Sequence, residues 1–301
     1  MIGRRQFLMV AALGAVPLPL KGTPETGLAR RETEPGAQEH ELLRETTEPT
    51  QERKNAQEPS SQLIVINPGH YKYSGENLGA HVPGIGDEYI INTQISRALL
   101  KKLQDIGLQA MVTRDEQDYL PEIVKFMADH NKRLEAEFDA YTGRSNYRRH
   151  RELSRREAIL QLGIMRYTEA REATAMIDIH VDDQLPKRRR RRAEARGFSV
   201  ILNKTASRES ERLQRELCSA LRKTLPRNRC YHIRSARQGI FILGNNRLRF
   251  SVPSCLVECG FMRQLYVIDG NKKHICDPEV QDIYAASLAR GLANNFGISG
   301  G

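Results

Sequence analysis

The sequence contains five cysteines but no Cys-x-x-Cys pair, and it shows no internal repeat. A zinc site made of thiolates is therefore not expected. Cys255 and Cys259 lie four residues apart in an apolar segment of strand type. Four residues of a strand span roughly 13 Å, which is beyond the reach of a disulfide bond. We expect both thiols to be buried as small hydrophobic groups.

Aromatic residues are also scarce, because they make up only 6% of the chain and tryptophan is absent. The charge is unbalanced, with 47 Lys and Arg against 37 Asp and Glu, a formal net charge of +10. Such an excess favours an anionic partner, for example nucleic acid, lipid or a charged polymer. No basic motif is interleaved with aromatic side chains, so nucleic acid is not an expected partner.

Long hydrophobic runs are missing as well. The apolar stretch Phe7–Leu20 is too short for a stable transmembrane anchor. It follows the pair Arg4-Arg5, an arrangement that is typical of an export signal of the twin-arginine type. We predict such a signal over 1–29 and a location in the periplasm or otherwise outside the cytoplasm. No transmembrane domain is expected after removal of the signal, and a short apolar N-terminal anchor is the alternative.

The composition then changes twice along the chain. Residues 30–61 are rich in Glu, Thr, Pro, Gln and Arg and lack apolar periodicity, which predicts a disordered linker. From residue 62 onward, short apolar runs alternate with amphipathic segments, which predicts one α/β domain over 62–299. We expect strands at 63–66, 108–113, 174–179, 197–202, 240–243 and 254–257. We expect helices at 88–106, within 119–172, at 207–224 and from residue 277.

Residues that can bind metal or move protons follow three of the predicted strands. His70 comes after a Pro-Gly turn at the end of one strand, His180 ends another, and Glu258 ends the last. In an open α/β sheet, functional residues gather at the carboxyl ends of strands. Glu88 opens a helix, where the helix dipole favours a carboxylate. Two imidazoles and one carboxylate form a catalytic zinc set, and a second carboxylate is suited to moving protons.

Taken singly, these residues have ordinary structural explanations. A histidine is more often a hydrogen-bonded residue than a ligand, and a glutamate at a helix start is usually a favourable charge in the first turn. Glu258 differs, because a bare carboxylate in an apolar strand is costly. His81 lies between His70 and Glu88 and is an alternative ligand. The order and context of the four residues are far more specific than any one of them.

On these residues the chain resembles the zinc-dependent N-acetylmuramoyl-L-alanine amidases, cell-wall hydrolases with an Asp-Pro-Gly-His opening. The resemblance covers about 62–299. The matching segments are Asn67–His70, Leu78–Ala80 with Gly84 and Glu88, Val112–Arg114, Ile179–Asp182, Gly197–Val200, and Pro253 through Met262, which includes Glu258.

The resemblance implies both a fold and a reaction. The fold would be a single twisted, mostly parallel sheet of about six strands flanked by helices. Zn²⁺ would bind His70, Glu88 and His180, and Glu258 would be the catalytic carboxylate. The reaction would be hydrolysis of the amide bond between N-acetylmuramic acid and L-alanine in peptidoglycan, in cell-wall remodelling or daughter-cell separation.

The chain also departs from the family pattern. Asn67 stands in place of the opening Asp, and Asp178 in place of a Ser two residues before the third ligand. Tyr71-Lys72 replaces a Gly pair, and Gln264 stands near the position of an Asn. None of these changes removes a ligand or the catalytic Glu, so they bear on substrate detail more than on activity.

Two segments are additions to the pattern. Residues 115–172 exceed the usual length and predict a helical insertion, either a surface elaboration, which we favour, or a lid over the zinc. Related enzymes are held inactive by a helix until a partner moves it, so a lid would imply an activator protein. The basic run Lys187–Arg192 fits a solvated loop, a clamp on anionic polymer or a protease-processing site.

Two other functions are compatible with these residues. A zinc peptidase of related geometry would cut the stem peptides of peptidoglycan. A non-catalytic wall-binding protein would use an amidase scaffold without its chemistry. Intact His70, Glu88, His180 and Glu258 argue against the second.

Overall fold

The computed structural model describes residues 62–70, 79–116, 118–142, 155–182, 197–203, 206–225, 229–235 and 250–298. These residues all lie in one unit of the chain, 55–301. Several expectations fall outside the described residues, namely the export signal 1–29, the linker 30–61, the loop at Tyr71-Lys72, the basic run 187–192 and the strand 240–243.

The described elements alternate between strands and helices along the chain. The strands are β1 (Leu63–Pro68), β2 (His81–Val82), β3 (Gly86–Asp87), β4 (Gln109–Val112), β5 (Ala175–Asp182), β6 (Gly197–Asn203), β7 (Arg229–Ser235), β8 (Ser254–Phe261), β9 (Tyr266–Ile268) and β10 (Asn271–Lys273). The helices are α1 (Glu88–Asp105), α2 (Pro121–Thr142), α3 (Arg155–Ala170), α4 (Arg208–Thr224) and α5 (Pro278–Asn295).

The described part of the chain forms a central six-stranded sheet in the order β4-β1-β5-β8-β6-β7. The first four strands in this order pair in parallel. β6 runs antiparallel to β8 and parallel to β7. The prediction of a mostly parallel sheet of about six strands flanked by helices is therefore confirmed. The remaining strands pair as two small antiparallel hairpins, β2 with β3 and β9 with β10.

Successive residues of the strands are buried on opposite faces of the sheet, as the pleat requires. In β1, Ile64 and Ile66 belong to one core, which includes side chains of α1, α4 and α5. Val65, between them, belongs to a second core with Met176 and side chains of α2 and α3. All three β1 side chains are fully buried, and each contributes about 1.5–3 kcal/mol to stability. The domain therefore has three layers, with helices on both faces of the sheet.

The helices of the segment 115–172 form one of these layers. Ile123 of α2 and Leu162 of α3 are completely buried, and Leu134 is 2% exposed. They pack in the same core as Val65 of the sheet. The two helices are therefore a structural layer of the domain rather than an addition to its surface. Whether part of this segment also covers the site stays a prediction. Within the ranges described, no helix has both the length and the apolar character that crossing a membrane requires.

Several boundaries differ from the sequence expectation. β5 continues to Asp182 and β8 to Phe261, so His180 and Glu258 lie within their strands rather than at the ends. The apolar run of each strand stops at His180 or Glu258, but the backbone pairing of the strand continues beyond that residue. β7 was not expected, because Arg229–Ser235 mixes charged and apolar residues without clear alternation.

Candidate metal centre

The turn after β1 presents His70 to the site. The Gly69 amide donates to the carbonyl oxygen of Ile179 at 2.7 Å, which ties the turn to β5. A Cβ atom on Gly69 would lie 2.2 Å from ring atoms of His180, so only glycine fits. His70 itself has a φ of 57°, in the left-handed region that side chains other than glycine rarely adopt. With this backbone conformation, the imidazole of His70 meets that of His180.

Glu88 is the first residue of α1 and is 5% exposed. Its backbone amide donates to the Ala80 carbonyl, and the Ala80 amide donates to Glu88 Oε2, each at 2.9 Å. Gly79, with a φ of +125°, lies against both ligands: a Cβ there would be 2.9 Å from His70 Cγ and 3.2 Å from Glu88 Oε2. Gly79 and Ala80, which precede the helix, therefore hold the Glu88 carboxylate in position.

The three predicted ligands come together in the structure. Glu88 Oε1 lies 3.2 Å from His70 Nε2 and 3.5 Å from His180 Nδ1. One ligand atom from each residue lies within 4.8 Å of the others, and the two imidazole rings meet edge to face with centroids 4.9 Å apart. His81 is not in this group. Its exposed ring bonds Asp87 Oδ1 at 2.7 Å, so its alternative role as a ligand has no support.

The electrostatics of the group suit a cation. Burial raises the pKa of Glu88, but hydrogen bonds with His180 and His70 and their charges outweigh it and hold the pKa well below its usual range. Burial lowers the pKa of His180, against the opposing effect of Glu88. The carboxylate is therefore ionised and His180 is neutral near pH 7, which are the protonation states that metal ligands need.

Glu258 lies beside the group rather than within it. It is the register partner of His180 across the β5–β8 pair. Its Oε2 atom is buried and has no hydrogen-bond partner among the described residues. Burial raises its pKa well above the usual range, and the charges of Glu88 and Asp182 raise it further. A carboxyl group that holds a proton so readily is suited to general acid–base work.

The donor set fits a zinc ion. Zinc bonds of about 2.0–2.1 Å in a tetrahedral site place neighbouring ligand atoms about 3.3 Å apart. The two distances from Glu88 Oε1, 3.2 and 3.5 Å, match that separation. Two imidazoles and one carboxylate also leave the fourth position open, as catalytic zinc sites do.

The two departures at positions 67 and 178 meet in the fold. Asn67 and Asp178 are register partners on β1 and β5. The Asn67 amide donates to Asp178 Oδ1 at 2.8 Å, and Thr113 Oγ1 donates to Asn67 Oδ1 at 2.6 Å. Burial raises the pKa of Asp178 to about 7, against the lowering effect of the Asn67 bond. The carboxylate expected on β1 is thus carried by β5, and the amide on β1 supports it.

This buried carboxyl group predicts a pH-dependent stability. The pKa of Asp178 is about 7 in the folded chain and about 3.9 in an unfolded one. Its stabilising contribution is therefore fully present below about pH 4 and is lost as the pH rises through about 7. Relative to Asp178→Asn, which keeps an acceptor for Asn67, the zinc-free wild type should lose up to about 1.4 kcal/mol per pH unit in this window. Urea unfolding at a series of pH values measures the difference, and parallel pH curves for the two proteins would contradict the assignment.

Two further residues at the site were not singled out from the sequence. Asn92 lies one turn after Glu88 and is completely buried. Arg114 was noted only within the Val112–Arg114 match, yet it is 1% exposed and donates to the carbonyl oxygens of Pro68, Gly69 and His70. The i, i+4 spacing of Glu88 and Asn92 was the available signal, because such residues share one helix face.

Comparisons with known proteins bear on the family and the fold of the chain. The sequence profile of a family described as N-acetylmuramoyl-L-alanine amidase (Amidase_3) matches residues 64–294. No curated protein sequence matches the chain.

Solved structures share the fold. The N-acetylmuramoyl-L-alanine amidase AmiC2 of Nostoc punctiforme is 20% identical with a TM-score of 0.50, over 79% of this chain and 98% of that one. The CwlD amidase from Clostridioides difficile, solved in complex with the GerS lipoprotein, is 14% identical with a TM-score of 0.51, over 79% of this chain and 100% of that one. At such low identities the likeness concerns the fold alone.

Proposed function

Because the chain belongs to the N-acetylmuramoyl-L-alanine amidase family, which matches residues 64–294, we propose that it is an exported zinc hydrolase of the cell wall. Its substrate would be peptidoglycan. The bond broken would join the lactyl group of N-acetylmuramic acid to the L-alanine of the stem peptide. This cleavage would serve wall remodelling or the separation of daughter cells.

The convergence of His70, Glu88 and His180 next to Glu258 is the observation that carries the proposal. One ligand atom of each of the first three lies within 4.8 Å of the others, and Glu258 pairs with His180 across the sheet. A purely structural role for four such groups would leave no reason for the buried Oε2 of Glu258, which has no hydrogen-bond partner in the described part of the chain. A catalytic role accounts for it, since an unsatisfied carboxyl oxygen is available to a reactant.

In the proposed mechanism, His70, Glu88 and His180 hold the zinc ion. When bound there, zinc would lower the pKa of water towards neutrality and polarise the amide carbonyl. Glu258 accepts a proton from the attacking water and then donates it to the nitrogen of the leaving L-alanine. The raised pKa of Glu258 makes its carboxylate a stronger base for the first step, and the proton that it takes up is the one delivered to the leaving nitrogen.

The partners are also part of the proposal. The net charge of +10 favours attraction to an anionic wall polymer. An amidase of similar fold, CwlD, was solved in complex with a lipoprotein, GerS. By analogy we propose that a partner protein acts on the segment 115–172 of this chain, where α2 and α3 form one layer of the domain.

Digestion of purified peptidoglycan by the full-length, zinc-loaded chain tests the function. Mass spectrometry of the soluble products should show free stem peptides that begin with L-alanine, together with glycan strands whose lactyl groups carry a free carboxylate. Products cut within the stem peptide would instead indicate a zinc peptidase. Binding to peptidoglycan without any product would indicate a wall-binding protein or a site that needs its partner.

A further inference from the structure

The carbonyl oxygen of Gly69, directly before the ligand His70, accepts hydrogen bonds from two buried side chains. Asn92 Nδ2 donates to it at 3.0 Å and Arg114 Nη2 at 2.8 Å. Asn92 is completely buried and Arg114 is 1% exposed. The two donors come from different parts of the fold, α1 and the segment after β4, so they hold this carbonyl from two directions.

The same amide of Asn92 also reaches a ligand. Its Nδ2 atom lies 3.4 Å from Glu88 Oε1, the oxygen that faces both imidazoles. Both neighbours of Nδ2 are acceptors, so this orientation of the amide is the one that its surroundings allow. Asn92 therefore links the carboxylate of one ligand to the backbone of the next.

The other end of Asn92 gains nothing from its position. Its Oδ1 atom is buried and has no hydrogen-bond partner among the residues described. An unsatisfied buried acceptor destabilises the fold, and a leucine of similar shape would avoid that cost. A requirement of folding alone therefore does not explain an asparagine here, whereas a requirement of the metal centre does.

Arg114 completes the arrangement. It also donates to the carbonyl oxygens of Pro68, at 3.3 Å, and of His70. Three consecutive carbonyls of the turn thus face one guanidinium. The turn contains the left-handed His70, a conformation that persists only when the surroundings enforce it.

We propose that Asn92 is a positioning residue of the metal centre: with Arg114 it clamps the Gly69 carbonyl, and through Glu88 it sets the separation of Glu88 from His70. The proposal rests on the proposed function in that it takes these residues to bind zinc. Loss of a hydrogen bond that supports a metal ligand typically weakens metal affinity about 10- to 100-fold. Asn92→Leu should show such a loss.

The zinc affinity of the full-length chain, measured by competition with a chromogenic chelator, tests the clamp. Asn92→Leu should bind zinc about 10- to 100-fold more weakly. The melting temperature of its zinc-free form should stay within about 4 °C of the wild type, because the change also removes the unsatisfied Oδ1. Ser96→Ala is the matched control. Ser96 lies one turn further along α1, is also completely buried and has a hydroxyl group for which the described residues offer no hydrogen-bond partner. Ser96→Ala should bind zinc like the wild type.

Wild-type zinc affinity in Asn92→Leu would overturn the proposal, and so would an equal loss in Ser96→Ala. If Asn92→Leu does not fold, Asn92→Ala is measured and judged by the same criteria. Failure of the wild type itself to bind zinc would instead refute the proposed function. A wild type that binds zinc and cleaves peptidoglycan, beside an Asn92→Leu of equal affinity, would refute the clamp alone.

Discussion

Replacement of Glu258 by glutamine should reduce the rate of peptidoglycan hydrolysis by about 10²- to 10⁴-fold, the usual contribution of a general acid–base group. Glutamine has nearly the same shape but can neither accept nor deliver the proton. Because Glu258 lies outside the group of three ligand atoms, zinc content should not change. Stability should be equal or higher, since burial opposes ionisation of this carboxyl group.

Release of stem peptides from peptidoglycan, measured as an initial rate, gives the result. Glu122→Gln is the matched control, because Glu122 is exposed in the first turn of α2 and should retain the wild-type rate. If Glu258→Gln kept a rate within a few-fold of the wild type, another group would be moving the proton. If it lost zinc as well as activity, Glu258 would be a ligand rather than the acid–base residue.

Removal of the metal should have a comparable effect. Without zinc, His70, Glu88 and His180 offer no means of polarising the amide, so hydrolysis should stop and one equivalent of zinc should restore it. His180→Ala should abolish both zinc binding and activity. Its ring is the more deeply placed of the two, with 12% of the side chain exposed against 32% for His70.

His81→Ala is the control for this second prediction. The side chain of His81 is 54% exposed and contacts Asp87 Oδ1 at hydrogen-bond distance, and it lies outside the group of three ligand atoms. The His81→Ala variant should bind one zinc ion and hydrolyse peptidoglycan as the wild type does. Loss of zinc in His81→Ala, or full activity of the wild type in excess chelator, would contradict the assignment of the ligands.

The residues proposed for the site were easier to find in the sequence than the residues that support them. His70, His180 and Glu258 each interrupt an apolar run, and a polar residue that ends such a run is visible without a structure. The contacts of Asn92 are not, because its partners Gly69 and Glu88 belong to different elements. Asn67 and Asp178 were noted as two separate departures, and only the β1–β5 register shows that they form one hydrogen-bonded pair.

Some features of the fold were likewise visible in the sequence, and others were not. The parallel strands β1, β4, β5 and β8 were expected because each is a short, largely apolar run in the sequence. Their lengths were underestimated where a functional residue sits inside a strand. The role of α2 and α3 as a layer was missed, because the chain length between β4 and β5 suggests an insertion. Ile123 and Leu162 are buried because they pack against a face of the sheet that α1, α4 and α5 do not cover. The sequence does not show which face this is.

The position of zinc in a crystal of the full-length chain would show directly whether His70, Glu88 and His180 are its ligands. Anomalous scattering measured on both sides of the zinc absorption edge locates the ion without assumptions about its ligands. We expect one peak at about 2.0–2.2 Å from a nitrogen of His70, a nitrogen of His180 and an oxygen of Glu88, with Glu258 nearby but not bound. A single peak elsewhere, or one coordinated by Glu258 in place of Glu88, would contradict the account.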